Sequence, residues 1–126
     1  MLPDGVRELF DGKNFATVVS LNPDGAPQAS VVWVRTDGDD ILFSTVKGRR
    51  KHRNFERDPR VTIVVIDPAN PYRYVEVRGV AEMEDDRSGA LIEELSLKYA
   101  GRPWEEPHPE SERVIVHIKP QKVYLR

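Results

Sequence analysis

The chain has 126 residues, of which 32% are charged, and its formal net charge is −2. This length suits one compact domain over residues 1–126, and the lack of cysteine excludes disulfide scaffolds, cysteine nucleophiles and zinc–thiolate sites. No apolar run reaches the ~20 residues of a membrane-spanning helix, and residues 1–11 lack the apolar centre of a signal peptide. We therefore expect a soluble, cytoplasmic protein.

The apolar pattern of the first half predicts a short helix followed by β-structure. Pro3 and Gly12 bound the predicted helix, because proline favours the first turn of a helix and glycine its end. β-Branched runs separated by the turn signals NPDG and DGDD predict strands at residues 15–21, 26–35 and 41–45. The connections have hairpin length, so these strands are expected to form an antiparallel meander.

The second half of the chain alternates between helices and strands. A basic helix is predicted over residues 48–57, and a β-branched strand at 61–66 is expected to be covered on both faces. The remaining predicted elements are a strand at 72–83, an amphipathic helix at 86–99, a proline-rich loop at 101–113 and a strand at 114–125, with Pro120 at a bend or edge. About six short antiparallel strands with inserted helices favour a closed barrel.

Most sequence signatures of enzyme chemistry are missing. The chain has neither a GxGxxG motif nor a Walker loop, so dinucleotide folds and NTP hydrolysis are unsupported. His52, His108 and His117 lack the paired spacing of metal ligands, and no metal site is predicted. The carboxylates at residues 82–86 precede a helix, where we expect them to be solvated.

Positive charge is concentrated in the basic segment, residues 47–60. It holds seven cations against Glu56 and Asp58, so it carries +5 and the remaining chain sums to −7. A basic stretch on an otherwise acidic chain favours a local anion site. Ser44 and Thr45 bring hydroxyl groups to the start of this segment, and Gly48 opens a helix whose free N–H groups and dipole attract anions.

Three cations, Arg49, Arg50 and Lys51, stand at the start of the basic helix. Successive helical residues are about 100° apart, so we expect one or two of these side chains to bind phosphate and the others to face solvent or a partner subunit. The residues alone leave two other interpretations open. One is a solvated cationic face paired with the acidic surface, and the other is a nucleic-acid site, which the small number of free aromatic residues disfavours.

Three stretches, in order, resemble one known family: NPDGAPQASVVWV, FSTVKGRRKHRNFERDPRV, and YRYVEVRGVAEM with a following helix that contains LSLKYAG. Over nearly the whole chain they resemble the flavin-type split-barrel family, which includes pyridoxamine-phosphate oxidases and deazaflavin-dependent (coenzyme F420) reductases. The resemblance implies a mainly β fold, a six-stranded antiparallel split β-barrel. It also implies a homodimer with one cofactor in each of two clefts at the subunit interface.

The resemblance assigns cofactor contacts by position, and it implies no catalytic residue. The phosphate or ribityl chain would be contacted by Ser44, Thr45, Arg49, Arg50 and Lys51, of which Arg49 and Lys51 match the family's phosphate-binding pair. The tricyclic ring would lie against Gln28, Ser30, Val31, Val32 and Trp33. Asn54 would brace the phosphate loop, and Tyr72 occupies the position of an aromatic residue that reaches toward the cofactor.

Departures from the family pattern select a branch. Pyridoxamine-phosphate oxidases carry arginine in place of Ser30, lysine in place of Arg35, and a C-terminal tryptophan/arginine signature that this chain lacks. The sequence motifs RRKHRNFERDPR and RYVEVRG look most like those of the deazaflavin-dependent branch. The implied activity is an oxidoreductase in which reduced coenzyme F420 passes a hydride to an unsaturated or quinone-like small molecule.

Two alternatives accompany that interpretation, and neither involves nucleic acid or a membrane. One is an FMN-binding oxidoreductase of the same fold, and the other is a non-enzymatic protein that binds a flavin, F420 or a tetrapyrrole. In each case, substrate-facing positions are expected on the loops at residues 67–71 and 101–113.

Overall fold

The computed structural model describes residues 2–126, which form three helices and seven strands. The helices are α1 (Asp4–Asp11), α2 (Arg50–Arg57) and α3 (Ala90–Ala100). The strands are β1 (Ala16–Leu21), β2 (Pro27–Val32), β3 (Arg35–Asp37), β4 (Asp40–Val46), β5 (Arg60–Ile66), β6 (Tyr74–Asp85) and β7 (Arg113–Leu125). The mainly β fold class is therefore confirmed.

All of these strands belong to one antiparallel sheet, in the order β2-β1-β5-β6-β7-β4-β3. The edge strands β2 and β3 are consecutive in the chain and are separated by Trp33 and Val34 alone. Three Cα–Cα steps span at most about 11 Å, so the end of β2 lies close to the start of β3. The sheet is thus rolled into a barrel, as the strand count and turn spacing predict.

The predicted count of six strands is corrected to seven, because the strand expected at residues 26–35 breaks after Val32. Val34 leaves the ladder: its N–H donates to Tyr99 Oη at 3.2 Å, and its carbonyl accepts from Lys98 Nζ at 2.6 Å. Two side chains of α3 thereby replace the bonds that a continuous strand would have made. As a result β3 pairs with β4 while β2 pairs with β1, and the expected three-stranded meander is wrong.

The core has two parts. The barrel interior is filled from β1, β4, β5, β6 and β7, and Val6, Leu9 and Phe10 of α1 are buried in it. A smaller cluster outside the barrel joins α3 to the outer face of β4, through Leu42, Leu91, Leu95 and Tyr99. Because strand residues alternate between faces, Phe43 points into the barrel and Leu42 points toward α3. Helix α3 is therefore fixed against the face that also carries Ser44.

Differences from the predicted boundaries have local causes. Helix α3 begins at Ala90, because Asp86 is buried and caps it, accepting from the N–H groups of Ala90 (3.1 Å) and Leu91 (3.0 Å). The expectation that every carboxylate at residues 82–86 is solvated is therefore wrong for Asp86. Pro120 lies at an irregularity in the β6–β7 pairing, as expected of a bend. It faces Gly79, where a Cβ atom would come within 2.1 Å of the Lys119 carbonyl oxygen.

The outer face of the β2-β1-β5 part of the sheet, here called the outer sheet face, is incompletely covered. In β5, Val61, Ile63 and Val65 are buried toward the barrel interior, whereas Val64 is half-buried and Ile66 is 53% exposed. Strand β5 was expected to be covered on both faces, and within one chain it is covered on one. Among residues 2–126, no helix has both the length and the apolar character needed to cross a membrane.

Candidate functional site

The turn between β4 and α2 is built to hold its shape. Gly48 has φ +91°, a left-handed conformation that glycine adopts without strain. The Gly48 N–H donates to Nδ1 of His52 at 3.1 Å, and His52 is buried. Lys47, the residue before this glycine, is held by two further contacts: its N–H donates to the Glu112 carbonyl at 3.0 Å, and its Nζ lies 3.0 Å from Asp85. The start of the basic helix is therefore fixed by contacts that do not use the side chains of Arg49 and Lys51.

Helix α2 begins without a side-chain cap. Arg49 is its N-cap residue, with extended backbone (φ −66°, ψ 158°), and its side chain makes no capping hydrogen bond. The first N–H groups of an α-helix have no partner within the helix, and they carry the positive end of its dipole. No acidic residue lies in the first turn to offset them.

A cavity of about 270 Å³, here called the basic cavity, opens at this helix start. Three of its wall residues, Ser44, Arg49 and Lys51, come from β4 and the start of α2, and Val31, Val32 and Trp33 come from the end of β2. The opposite wall is formed by Ile92, Leu95, Trp104, Pro107 and Arg113. The basic cavity thus has two cations at the start of α2, and an opposite wall that is apolar and aromatic apart from Arg113.

The cations of the basic cavity lack negative partners. Within residues 2–126, neither Arg49, Arg50 nor Lys51 forms an ion pair, although other cations of the basic segment do. Burial, and after it the positive charge of Arg49, lowers the pKa of the Lys51 amine. The interpretation of this helix start as a solvated face paired with the acidic surface predicts ion pairs with carboxylates, and among these residues the only carboxylate whose pKa Arg49 helps to lower is Glu106, which is not within ion-pair distance of it.

The hydroxyl groups near the basic cavity are also without partners. Ser44 lines the basic cavity, and its Oγ is buried and makes no hydrogen bond within residues 2–126. A buried hydroxyl without a partner costs free energy that a bound acceptor recovers. Two cations, an uncapped helix start and a free hydroxyl are the donor set that a phosphate group requires. The residues present therefore fit a phosphorylated, ring-bearing cofactor.

The structure brings six of the twelve sequence-predicted cofactor residues together around the basic cavity: Val31, Val32, Trp33, Ser44, Arg49 and Lys51. Arg50 is exposed and does not line the basic cavity, as the 100° spacing leads one to expect for one of three consecutive cations. Thr45 is fully buried on the opposite face of β4 from Ser44, since side chains alternate along a strand. Its hydroxyl is likewise without a partner.

The other four predicted residues lie outside the basic cavity wall. On β2, Gln28 accepts from Ser20 Oγ at 3.0 Å, and Ser30 Oγ is buried and makes no hydrogen bond with any residue from 2 to 126. Tyr72 is 90% exposed, in the loop between β5 and β6.

Asn54 supports the site from behind. It is fully buried, and its Nδ2 donates to Ser20 Oγ at 2.9 Å and to Asn22 Oδ1 at 3.1 Å. These bonds join α2 to the end of β1 and to the turn that follows it. Asn54 therefore fixes the helix that carries Lys51 without itself lining the basic cavity.

Sequence reasoning missed the residues that build the opposite wall. Arg113 is buried and binds Glu106 through two bonds, at 3.0 and 2.9 Å, and its guanidinium lies 5.1 Å above the Trp104 ring. Arg113 accordingly lowers the pKa of the Glu106 carboxyl. The loop at residues 101–113 was expected to face the substrate, and its Trp104 does line the basic cavity. Nothing local in the sequence signals the pairing of Glu106 with Arg113.

Comparisons with known proteins agree with this geometry. The family model described as pyridoxamine 5'-phosphate oxidase matches residues 2–126. A solved structure named F420 reductase is 35% identical, with 98% of each chain covered and a TM-score of 0.88.

More distant structures share the fold. A conserved hypothetical protein from Mycobacterium tuberculosis is 22% identical over 98% of this chain and 82% of its own, with a TM-score of 0.78. A heme binding protein from Mycobacterium smegmatis is 21% identical over 100% of this chain and 55% of its own, with a TM-score of 0.72. Because the family model covers all but the first residue, the resemblance found in the sequence is confirmed, and the chain belongs to the pyridoxamine 5'-phosphate oxidase family.

Proposed function

We propose that this protein is an oxidoreductase that uses reduced coenzyme F420 to deliver a hydride to an unsaturated or quinone-like small molecule. Family membership and the 35% identical F420 reductase support a flavin- or deazaflavin-related oxidoreductase or binding protein. The observation that carries the finer proposal is that Arg49 and Lys51 both line the basic cavity. Neither forms an ion pair with a carboxylate within residues 2–126.

The phosphate of the cofactor is proposed to bind at the cationic end of the basic cavity. Arg49 and Lys51 supply charge, the free N–H groups at the start of α2 supply donors, and Ser44 donates its hydroxyl. An anion at this position offsets both the repulsion between the two cations and the cost of burying Lys51. Arg50, which is exposed, is left to solvent or to a partner subunit.

The cofactor ring is proposed to lie along Val31, Val32 and Trp33. Strand β2 is an edge strand that pairs with β1 alone, so its other side carries backbone N–H and C=O groups outside the ladder. These groups suit a planar heterocycle with its own donors and acceptors. Trp33 and Leu95 contribute apolar surface that excludes water from the ring.

The chemistry supplied by the bound cofactor is hydride donation from its reduced ring. With that cofactor bound, the acceptor would take the hydride together with a proton from solvent, which balances a two-electron reduction of the acceptor with a two-electron oxidation of the cofactor. The ionisable side chains that line the basic cavity, Arg49, Lys51 and Arg113, are all cations. We assign none of them to proton transfer, because their proposed roles are binding and positioning.

A homodimer is proposed on the exposed part of the sheet. Val31 is 66% exposed, Ile66 is 53% exposed, and Val19 and Val64 are half-buried, all on the outer sheet face. Apolar residues exposed together on one face of a sheet are typical of a subunit interface. Val31 also lines the basic cavity, so a second subunit on this face would close that cavity from outside.

Titration of the purified protein with coenzyme F420, with FMN and with the phosphate-free deazaflavin tests the cofactor assignment. We expect F420 to bind tightest, and the phosphate-free ring to bind at least ~10-fold more weakly, since one charge-assisted contact contributes about 1.5–3 kcal/mol. Tighter binding of FMN would favour the FMN-dependent alternative. Tight F420 binding without oxidation of the reduced cofactor by any unsaturated acceptor would favour a binding protein.

A further inference from the structure

A second cavity adjoins the basic cavity and has different chemistry. It measures about 350 Å³ and lies between the end of α3 and the loop at residues 101–107. We call it the aromatic cavity. Trp33, Trp104 and Pro107 line both cavities, so the two are neighbours that share a wall. The aromatic cavity contains neither Ser44, Arg49 nor Lys51, and therefore lies outside the proposed phosphate site.

Its two indole rings are held in place before any ligand binds. Trp33 stacks on Tyr99, with ring centroids 5.5 Å apart and planes inclined by 6°. Trp104 stands nearly perpendicular to Trp33, at 86° and 6.0 Å. The Trp104 N–H donates to Glu93 at 2.8 Å, and its indole N–H donates to Glu106 at 3.0 Å. A wall fixed in this way loses little conformational entropy when a flat ligand binds to it.

The charge of the aromatic cavity is balanced. One cation, Arg102, and one carboxylate, Glu105, line it, and both residues are exposed. Neither forms an ion pair within residues 2–126, so both are available as hydrogen-bonding groups. The basic cavity, by contrast, is lined by three cations and no carboxylate. An anionic ligand is drawn to the basic cavity, whereas an uncharged one gains its main contacts from the indole rings.

We propose that the aromatic cavity binds the hydride acceptor, and that this acceptor is a planar, uncharged, conjugated carbonyl compound about two fused rings in size. The size follows from the volume, which is near the lower end of ~300–1,000 Å³ for small-molecule sites. Flat indole walls select a flat ligand, and the Arg102 guanidinium offers a donor to its carbonyl oxygen. The role as acceptor site rests on the proposed function, because Trp33 ends the stretch proposed to hold the cofactor ring.

Both tryptophans of the protein line this cavity, which gives a direct measure of its occupancy. The ¹H–¹⁵N correlation spectrum contains two indole signals, and substitution of Trp104→Phe assigns them. The probe is 2,3-dimethyl-1,4-naphthoquinone, whose blocked ring positions prevent addition of amines. We expect both indole signals to shift in a saturable way. The saturated analogue 2,3-dimethyldecalin-1,4-dione should bind at least ~10-fold more weakly, because it cannot lie flat on an indole face.

Substitution at Ala100 locates the bound probe. Ala100 lines the aromatic cavity at the exposed end of α3 and is absent from the basic cavity. Ala100→Phe fills the cavity and should weaken quinone binding at least ~10-fold while leaving F420 affinity unchanged, with Ala100→Leu intermediate. The matched control is Leu97→Phe, on the same helix, 51% exposed and outside the cavity, which should change neither affinity.

The outcomes separate this inference from the proposed function. The inference is overturned if neither indole signal moves, if the saturated analogue binds as well as the quinone, or if Ala100→Phe leaves quinone affinity intact. Quinone binding that depends on Ala100, in a protein that does not bind F420, would support the aromatic cavity and refute the proposed function. F420 binding without any quinone effect would do the reverse.

Discussion

Apart from Lys47, which pairs with Asp85, the two halves of the basic segment have similar composition and opposite surroundings. In the second half, Arg60 binds the Asp58 carboxylate at 2.7 Å, and Arg57 donates to the Leu21 carbonyl and to Asn54 Oδ1. In the first half, Arg49 and Lys51 line the basic cavity with no carboxylate partner in the described part of the chain. Cations that find partners within the chain serve the fold, whereas cations gathered around a cavity without partners mark where a bound anion belongs.

Electrostatics makes the same distinction. Arg60 holds the pKa of the Asp58 carboxyl down to about 2, which shows that its surroundings stabilise the ionised carboxylate. For Lys51, burial and the charge of Arg49 lower the pKa of the amine, which means that its surroundings disfavour the protonated form. A protein tolerates a half-buried cation beside another cation when a bound ligand offsets the unfavourable free energy of that arrangement. The comparison therefore predicts that substitutions in the first half reduce binding and those in the second half reduce stability.

The largest effect is expected for the double substitution Arg49→Ala with Lys51→Ala. Losing two charge-assisted contacts of ~1.5–3 kcal/mol each should weaken F420 binding about 10²–10⁴-fold, measured by fluorescence titration. The unfolding midpoint should stay the same or rise, because a half-buried charge beside another cation is removed. The matched control, Arg57→Ala with Arg60→Ala, should lower the unfolding midpoint and leave binding near wild type. Unchanged F420 affinity in the first variant would refute the phosphate site.

The next largest effect should come from Asn54→Ala, which tests the structural half of the comparison. The substitution removes the donors to Ser20 and Asn22 in a fully buried position, at a cost of about 2–3 kcal/mol in the free energy of unfolding. Denaturant unfolding measures it. Asn70→Ala is the matched control, since Asn70 lies in an exposed loop, and it should cost far less. Equal losses in the two variants would contradict the bracing role of Asn54.

The sequence predicts the fold well where local signals determine it. Turn signals and β-branched runs predict nearly every strand, and the one predicted strand that the structure divides, among residues 2–126, breaks at Trp33–Val34. That break depends on Tyr99 and Lys98, side chains 65 and 64 residues away in the chain, which take over the backbone bonds of Val34. No local pattern encodes a contact of that range.

The candidate site likewise contains residues whose positions the sequence predicts and residues whose positions it does not. The position of Arg49 and Lys51 follows from helix geometry and from the family resemblance, and strand alternation already implies that Ser44 and Thr45 face opposite sides of β4. The wall containing Trp104 depends on the Glu106–Arg113 pair, which forms across a loop and could not be derived from spacing.

A smaller effect is expected from the two neighbouring hydroxyl groups of β4. Ser44→Ala should weaken F420 binding roughly fivefold, the equivalent of about 1 kcal/mol for one hydrogen bond. Thr45→Val removes a buried hydroxyl that has no partner on the other face of the strand. It should leave F420 binding unchanged and keep or slightly raise the free energy of unfolding. Reversed effects would mean that the cofactor approaches the sheet from the barrel interior.

The smallest effect concerns the pH dependence of the Asp58–Arg60 pair. The pKa of Asp58 is lowered from 3.8 to about 2, chiefly by its hydrogen bond from the Arg60 side chain. A carboxyl with a lowered folded-state pKa stabilises the fold above its unfolded pKa, and this contribution disappears as the pH falls from about 4 to about 2.

Urea unfolding of the wild type and of Asp58→Asn should therefore differ at pH 6 and converge toward pH 2, with the wild type the more stable. Arg60 is exposed and Asp58 is half-buried, so the difference should be modest and should shrink in 1 M salt, where the screening length is about 3 Å. F420 affinity should not change, because Asp58 does not line the basic cavity. A loss of F420 affinity in Asp58→Asn would show that the two halves of the basic segment are coupled, and would break the division between binding cations and structural cations.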